Sequence, residues 1–68
     1  MEHVLAKTIL IAKVSELLSK ESKIKLKEAT SELYLSGFVD LINDDETGLY
    51  GESPLYVFSI YKKWKQQF

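Results

Sequence analysis

With 68 residues, a formal net charge of -1 and no cysteine, the chain is sized for one domain without disulfide staples or thiolate metal sites. Its hydrophobic share of 46% and charged share of 28% are those of a globular protein and exclude a disordered one. The near-neutral balance argues against a strong field steering it onto nucleic acid or an anionic membrane.

A domain of this size buries only about 60% of the surface that its unfolded chain exposes. Its core is thin, which favours self-association or a protein partner. Glu2 to about Ser19 is predicted to be a helix. Val4, Ile11 and Leu18 recur at heptad spacing, with Leu10, Val14 and Leu17 beside them. Lys13, Glu16 and Lys20 face the other way. Leu5, Ile9 and Ala12 form a second, smaller apolar stripe on that otherwise polar side. Two readings stay open for it: another helix covers it, or a second copy or a partner does. The apolar run Ile9 to Ala12 is too short for a signal peptide, and Glu2, Lys7 and Lys13 interrupt the region. No run of about 20 apolar residues is present to span a membrane. His3 is expected to be an exposed terminal residue.

"SKESKIK", Ser19 to Lys25, reads as a polar break. A second helix follows over about Leu26 to Leu35, with Leu26, Ala29 and Leu33 inward and Lys25, Lys27, Glu28 and Glu32 outward. Gly37 ends it, because glycine takes the left-handed conformation that a helix C-terminus favours. Phe38 to about Asn43 is predicted as a short helix, with Phe38, Leu41 and Ile42 on one face. The acids Asp44 to Glu46 suit the start of a turn better than the negative end of a helix dipole, so the chain is expected to break near Asn43.

"NDDETG" begins like a calcium loop, with Asn43, Asp45 and Thr47 at the first ligand positions and Gly48 at the turn. The template then requires a bidentate glutamate where this chain has Pro54, so calcium is not expected. The stretch reads as a connector. Asp44 or Asp45 caps a turn, Gly48 supplies an unusual backbone angle, and Leu49 and Tyr50 tuck back to the core. Ser53-Pro54 then starts the last helix, serine as N-cap and proline at the first helical position. That helix runs to about Gln66. Tyr56, Val57, Phe58, Ile60, Tyr61, Trp64 and Phe68 share one side, opposite Ser59, Lys62, Lys63 and Gln66. The fold class expected is therefore all-α, a single domain of three to four helices at about 2–19, 26–35, 38–43 and 54–66.

Charge is uneven along the chain. Between Ser36 and Ser53 lie Asp40, Asp44, Asp45, Glu46 and Glu52 without a base, and Lys62, Lys63 and Lys65 follow without an acid. No catalytic set emerges. Ser53 lacks a histidine base, since His3 is the only histidine, and the carboxylates carry no sign of a pocket. No enzyme activity, cofactor or metal is expected.

"GFVDLINDDETGLYGESPLYVFSIYKKW" resembles the C-terminal half of a group of small uncharacterised all-helical proteins of Gram-positive bacteria. The likeness covers about Leu26 to Trp64 and rests on the acidic turn of Glu46 to Tyr50 and the helix start of Glu52 to Tyr56. It implies an all-helical fold and an accessory role beside other proteins. The helix end usual in that group, "Y-x-x-L", is "YVFSIY" here.

Two functions fit. The first is a non-enzymatic protein-interaction module, an adaptor, inhibitor or antitoxin-like accessory protein in the cytoplasm, forming homo-oligomers or binding a protein partner. Its candidate interface residues are Leu5, Ile9, Ala12, Tyr56 and Trp64, aromatics being frequent interface anchors. The alternative is a DNA-binding winged-helix-like domain, with the acidic turn as the wing. Against it, the candidate recognition helix carries Glu28 and Glu32, and the chain has no arginine, the usual reader of guanine.

Overall fold

The computed structural model describes residues 3–66, and every described element is helical. Helix α1 spans Val4–Ser22, α2 Leu26–Ser36, α3 Phe38–Asn43 and α4 Pro54–Gln66. Two 3-10 turns, Asp45–Thr47 and Leu49–Gly51, join α3 to α4. The all-α fold read from the apolar periodicity is the fold observed. The radius of gyration is 11.1 Å, against about 11 Å for a packed chain of this length.

Helix α1 is the spine. It packs against α2, α3, α4 and the second 3-10 turn. Its buried face is Leu10, Ile11, Val14 and Leu18, joined by Ser15. That serine is buried without penalty because its hydroxyl donates to the Ile11 carbonyl at 2.8 Å. Against this face come Ala29 and Leu33 of α2, Phe38, Val39 and Ile42 of α3, Leu49 of the connector, and Val57, Phe58 and Tyr61 of α4. Phe38 meets Tyr61 edge to face, with ring centroids 5.1 Å apart.

Several boundaries and faces differ from expectation. The first helix does not stop at Ser19 but runs on to Ser22; the expected start at Glu2 lies outside the described residues. Ser19, Lys20 and Glu21 are polar because that turn is solvated, and polarity alone does not end a helix. What ends it is Lys23 in the left-handed conformation, φ 56. The Lys23 and Ile24 amides both donate to the Ser19 carbonyl, and Ile24 packs back on the core. The second helix gains Ser36, whose hydroxyl donates to the Leu33 carbonyl and accepts from the Phe38 amide. Leu26 was expected inward but is half exposed, because it sits at the first position of α2, beyond the reach of the core. In α3, Val39 is fully packed while Leu41 is only half-buried: packing against both α1 and α2 closes over that side of so short a helix. Val4 is exposed, nearly two turns before α1 enters the core at Leu10.

The connector follows its chemistry. The Asp44 carboxylate accepts from the Glu46 amide at 3.0 Å, an aspartate cap on the first 3-10 turn. Gly48 has φ 65, the left-handed conformation between the two turns. Leu49 is buried and Tyr50 half-buried. Ser53 caps α4: its hydroxyl accepts from the Tyr56 amide at 3.2 Å, and its carbonyl takes the Val57 amide.

Candidate functional site

The stripe of Leu5, Ile9 and Ala12 lies on the side of α1 away from the core. No element of the described chain covers it. Leu5 is 73% exposed, Ile9 48%, and Ala12 is exposed as well. A helix crossed by α2 and α4 on its inner faces has its outer face left over, and the described residues hold no further helix to lay on it. Of the two readings of the stripe, internal coverage by another helix is the one the fold does not provide.

Beside the stripe run two shallow grooves where α1 meets the start of α4. One is lined by Ala6, Ile9, Leu10, Lys13, Tyr50, Glu52 and Pro54. The next is lined by Lys13, Glu16, Leu17, Lys20, Pro54 and Leu55. They share Lys13 and Pro54, so the surface is continuous from Ile9 to Leu55. Leu55 is 69% exposed, a large apolar side chain held in water at the mouth of the second groove. Both grooves are lined by apolar and charged residues together, a mixture usual in protein-contact surfaces.

The other two candidates fall elsewhere. Tyr56 is half exposed on α4 and does not line either groove. Trp64 is half-buried near the C-terminal end of α4, its ring 5.4 Å from that of Phe38 and against Gly37. It closes the core rather than standing on the surface of the stripe. The five candidates are thus three neighbours on α1 and two separate residues of α4. Sequence reasoning missed Tyr50, Pro54 and Leu55 as companions of the stripe. The available signal was Leu55, a leucine outside the apolar side of its own helix. A second exposed apolar area, on α2, was also missed: Tyr34 and Leu35 stand out from the helix, Leu35 lining a shallow depression with Ser31 and Lys65.

The connector is tied to the start of α1. The Lys7 ammonium donates to the Asn43 carbonyl at 2.9 Å and to the Asp45 carboxylate, and it lies 5.7 Å from the centre of the Tyr50 ring. The His3 ring stacks on Tyr50 with centroids 4.2 Å apart, so this exposed residue docks on the connector. The Lys7 hydrogen bond holds the Asp45 carboxyl below the usual aspartate range. At the opposite end, Lys62 pairs with Glu21 at 3.1 Å and Lys65 with Glu32. The Glu32 hydrogen bond raises the Lys65 pKa. These pairs are exposed and hold elements in register more than they stabilise them.

Among the described residues, no group of three or more histidines, cysteines, aspartates or glutamates is placed to hold a metal ion. No strand occurs among them, and the segment that a winged helix would use for its hairpin is the pair of 3-10 turns. No described helix is long and apolar enough to cross a membrane. No protein-family model matches the chain, and no curated protein or solved structure is significantly similar to it.

Proposed function

We propose that the protein is a non-catalytic interaction module, an adaptor, inhibitor or antitoxin-like accessory protein that works through the outer face of α1. One observation carries this reading: Leu5 is largely exposed and Ile9 half exposed on a folded domain whose buried core does not include them. Each large apolar side chain left exposed forgoes roughly 1.5–3 kcal/mol that full burial would return. The grooves beside Pro54 and Leu55 widen the surface. Work in the cytoplasm, beside other bacterial proteins, is part of the proposal.

The test is site-specific photo-crosslinking in the cells that make the protein. A photoreactive residue at Leu5 or Ile9 is expected to give discrete covalent adducts. The same residue at Glu46, exposed on the connector, is the control. Equal labelling at all three positions, or none at Leu5 and Ile9, would remove the stripe as an interaction surface.

A further inference from the structure

We propose that the occupant of the α1 outer stripe is a second copy of this chain, laid antiparallel across it. The inference rests on the reading of that stripe as an interaction surface and goes further by naming what covers it.

Charge carries the argument. Helix α1 has 19 residues and is therefore about 28 Å long, close to the longest dimension of the molecule, 33 Å. The Lys7 contacts to Asn43 and Asp45 hold the acidic connector at its N-terminal end, where Asp44, Glu46 and Glu52 gather with Asp45. The Lys62–Glu21 and Lys65–Glu32 pairs hold the C-terminal half of α4 at the other end, where Lys63, Lys20, Lys23 and Lys25 add positive charge beyond what those two glutamates offset. The molecule is acidic at one end and basic at the other, with the apolar stripe running between them.

A parallel pair would set acid against acid and lysine against lysine. An antiparallel pair sets each basic end on an acidic end, twice, by one two-fold axis that uses the same patch on both copies. The net charge of -1 leaves little overall repulsion to oppose it. Stacking the molecules end to end would also pair opposite charges. It would leave Leu5 and Ile9 in water, however, and it would not close.

The stripe suits the axis. Ala12, its smallest member, lets two helices approach closely where they cross. With the axis beside Ala12, Ile9 faces the aliphatic stem of Glu16 of the second copy. Leu5 faces the stem of Lys20, whose ammonium then extends toward the acidic connector opposite. Glu52, which lines the first groove with Ile9, belongs to that acidic connector.

The test uses the absence of native cysteine. On mild oxidation, Ala12→Cys is expected to form a disulfide-linked dimer, because the axis brings the two copies of this position together. Leu5→Cys is expected not to link to itself. In sedimentation the wild type is expected at twice the 7.8 kDa chain mass, with weaker association as salt rises. Ile9→Glu should raise the dissociation constant roughly a hundredfold, with the helical circular dichroism unchanged. A wild type at the chain mass up to high micromolar concentration overturns the proposal, as does self-linking of Leu5→Cys or failure of Ala12→Cys to link. Photo-adducts at Leu5 to a protein of another mass, with the wild type monomeric, would overturn the second copy and leave the interaction surface standing.

Discussion

At the scale of single residues, a few side chains set the helix ends. Ser53 supplies the one oxygen that meets the free Tyr56 amide at the start of α4. Ser53→Ala is expected to cost about 1 kcal/mol in chemical denaturation, and Ser53→Asp close to nothing, since aspartate caps as well as serine. Lys23 closes α1 in a conformation that disfavours any side chain with a Cβ, at φ 56. Lys23→Gly is expected to stabilise the fold by about 1 kcal/mol, raising the denaturation midpoint without changing the slope. Tyr61 is 1% exposed, and its hydroxyl has no partner in good hydrogen-bond geometry among the described residues, although its interaction with Lys65 favours the charged ammonium. The Lys65 ammonium lies over its ring, 5.8 Å from the centre. Burying a hydroxyl without a partner is unfavourable, so Tyr61→Phe is expected to leave the melting temperature unchanged or raise it. A marked drop would reveal a hydroxyl partner.

At the scale of elements, the connector is the part whose stability depends on charge. Two 3-10 turns bury only Leu49; the Thr47 hydroxyl ties them to the Leu41 carbonyl, and Lys7 ties them to α1 by reaching Asn43 and Asp45. The folded Asp45 binds its proton less readily than the free side chain. Its stabilising contribution is therefore complete above about pH 4, where an unpaired aspartate titrates, and is lost as pH falls through the lowered folded value. Asp45→Asn is expected to lower the melting temperature slightly at neutral pH and to flatten its fall between about pH 5 and 2. An acid limb as steep as that of the wild type would show that the pair does not couple to folding. Because Asp45 is exposed, the effect at pH 7 is small and shrinks with salt.

At the scale of the whole molecule, the division between core and stripe is sharp enough to test with one kind of substitution. Ile9→Glu adds a charge to an exposed face and is expected to change stability by no more than about 0.5 kcal/mol at concentrations where the chain is monomeric. Leu33→Glu places the same charge at a fully buried site with no partner and is expected to unfold the domain. If Ile9→Glu also unfolds it, the stripe belongs to the core. The charge separation between the two ends is likewise a property of the assembled molecule: it needs α4 beside the end of α1, and the connector beside its start.

The sequence by itself determined the elements. Period-3.6 apolar spacing, Ser53-Pro54, Gly37 and the acidic break after Asn43 are local signals, and local backbone energetics answer to them directly; α3 and α4 stand where they were read. The left-handed Gly48 follows for the same reason, whereas the choice of Asp44 over Asp45 as the cap came only with the structure. The end of α1 was misread because polar composition resembles a break, whereas the actual stop is a backbone conformation that lysine seldom adopts. Only the tertiary structure decided which apolar residues are core. Leu5 and Ile9 have the same chemistry as Leu10 and Ile11, and a helical wheel shows two stripes without saying which one meets a neighbour. Burial depends on where α2, α3 and α4 land, a matter of non-local packing. That packing left one stripe of α1 open, set Leu55 and Tyr50 beside it, and turned Trp64 toward Phe38.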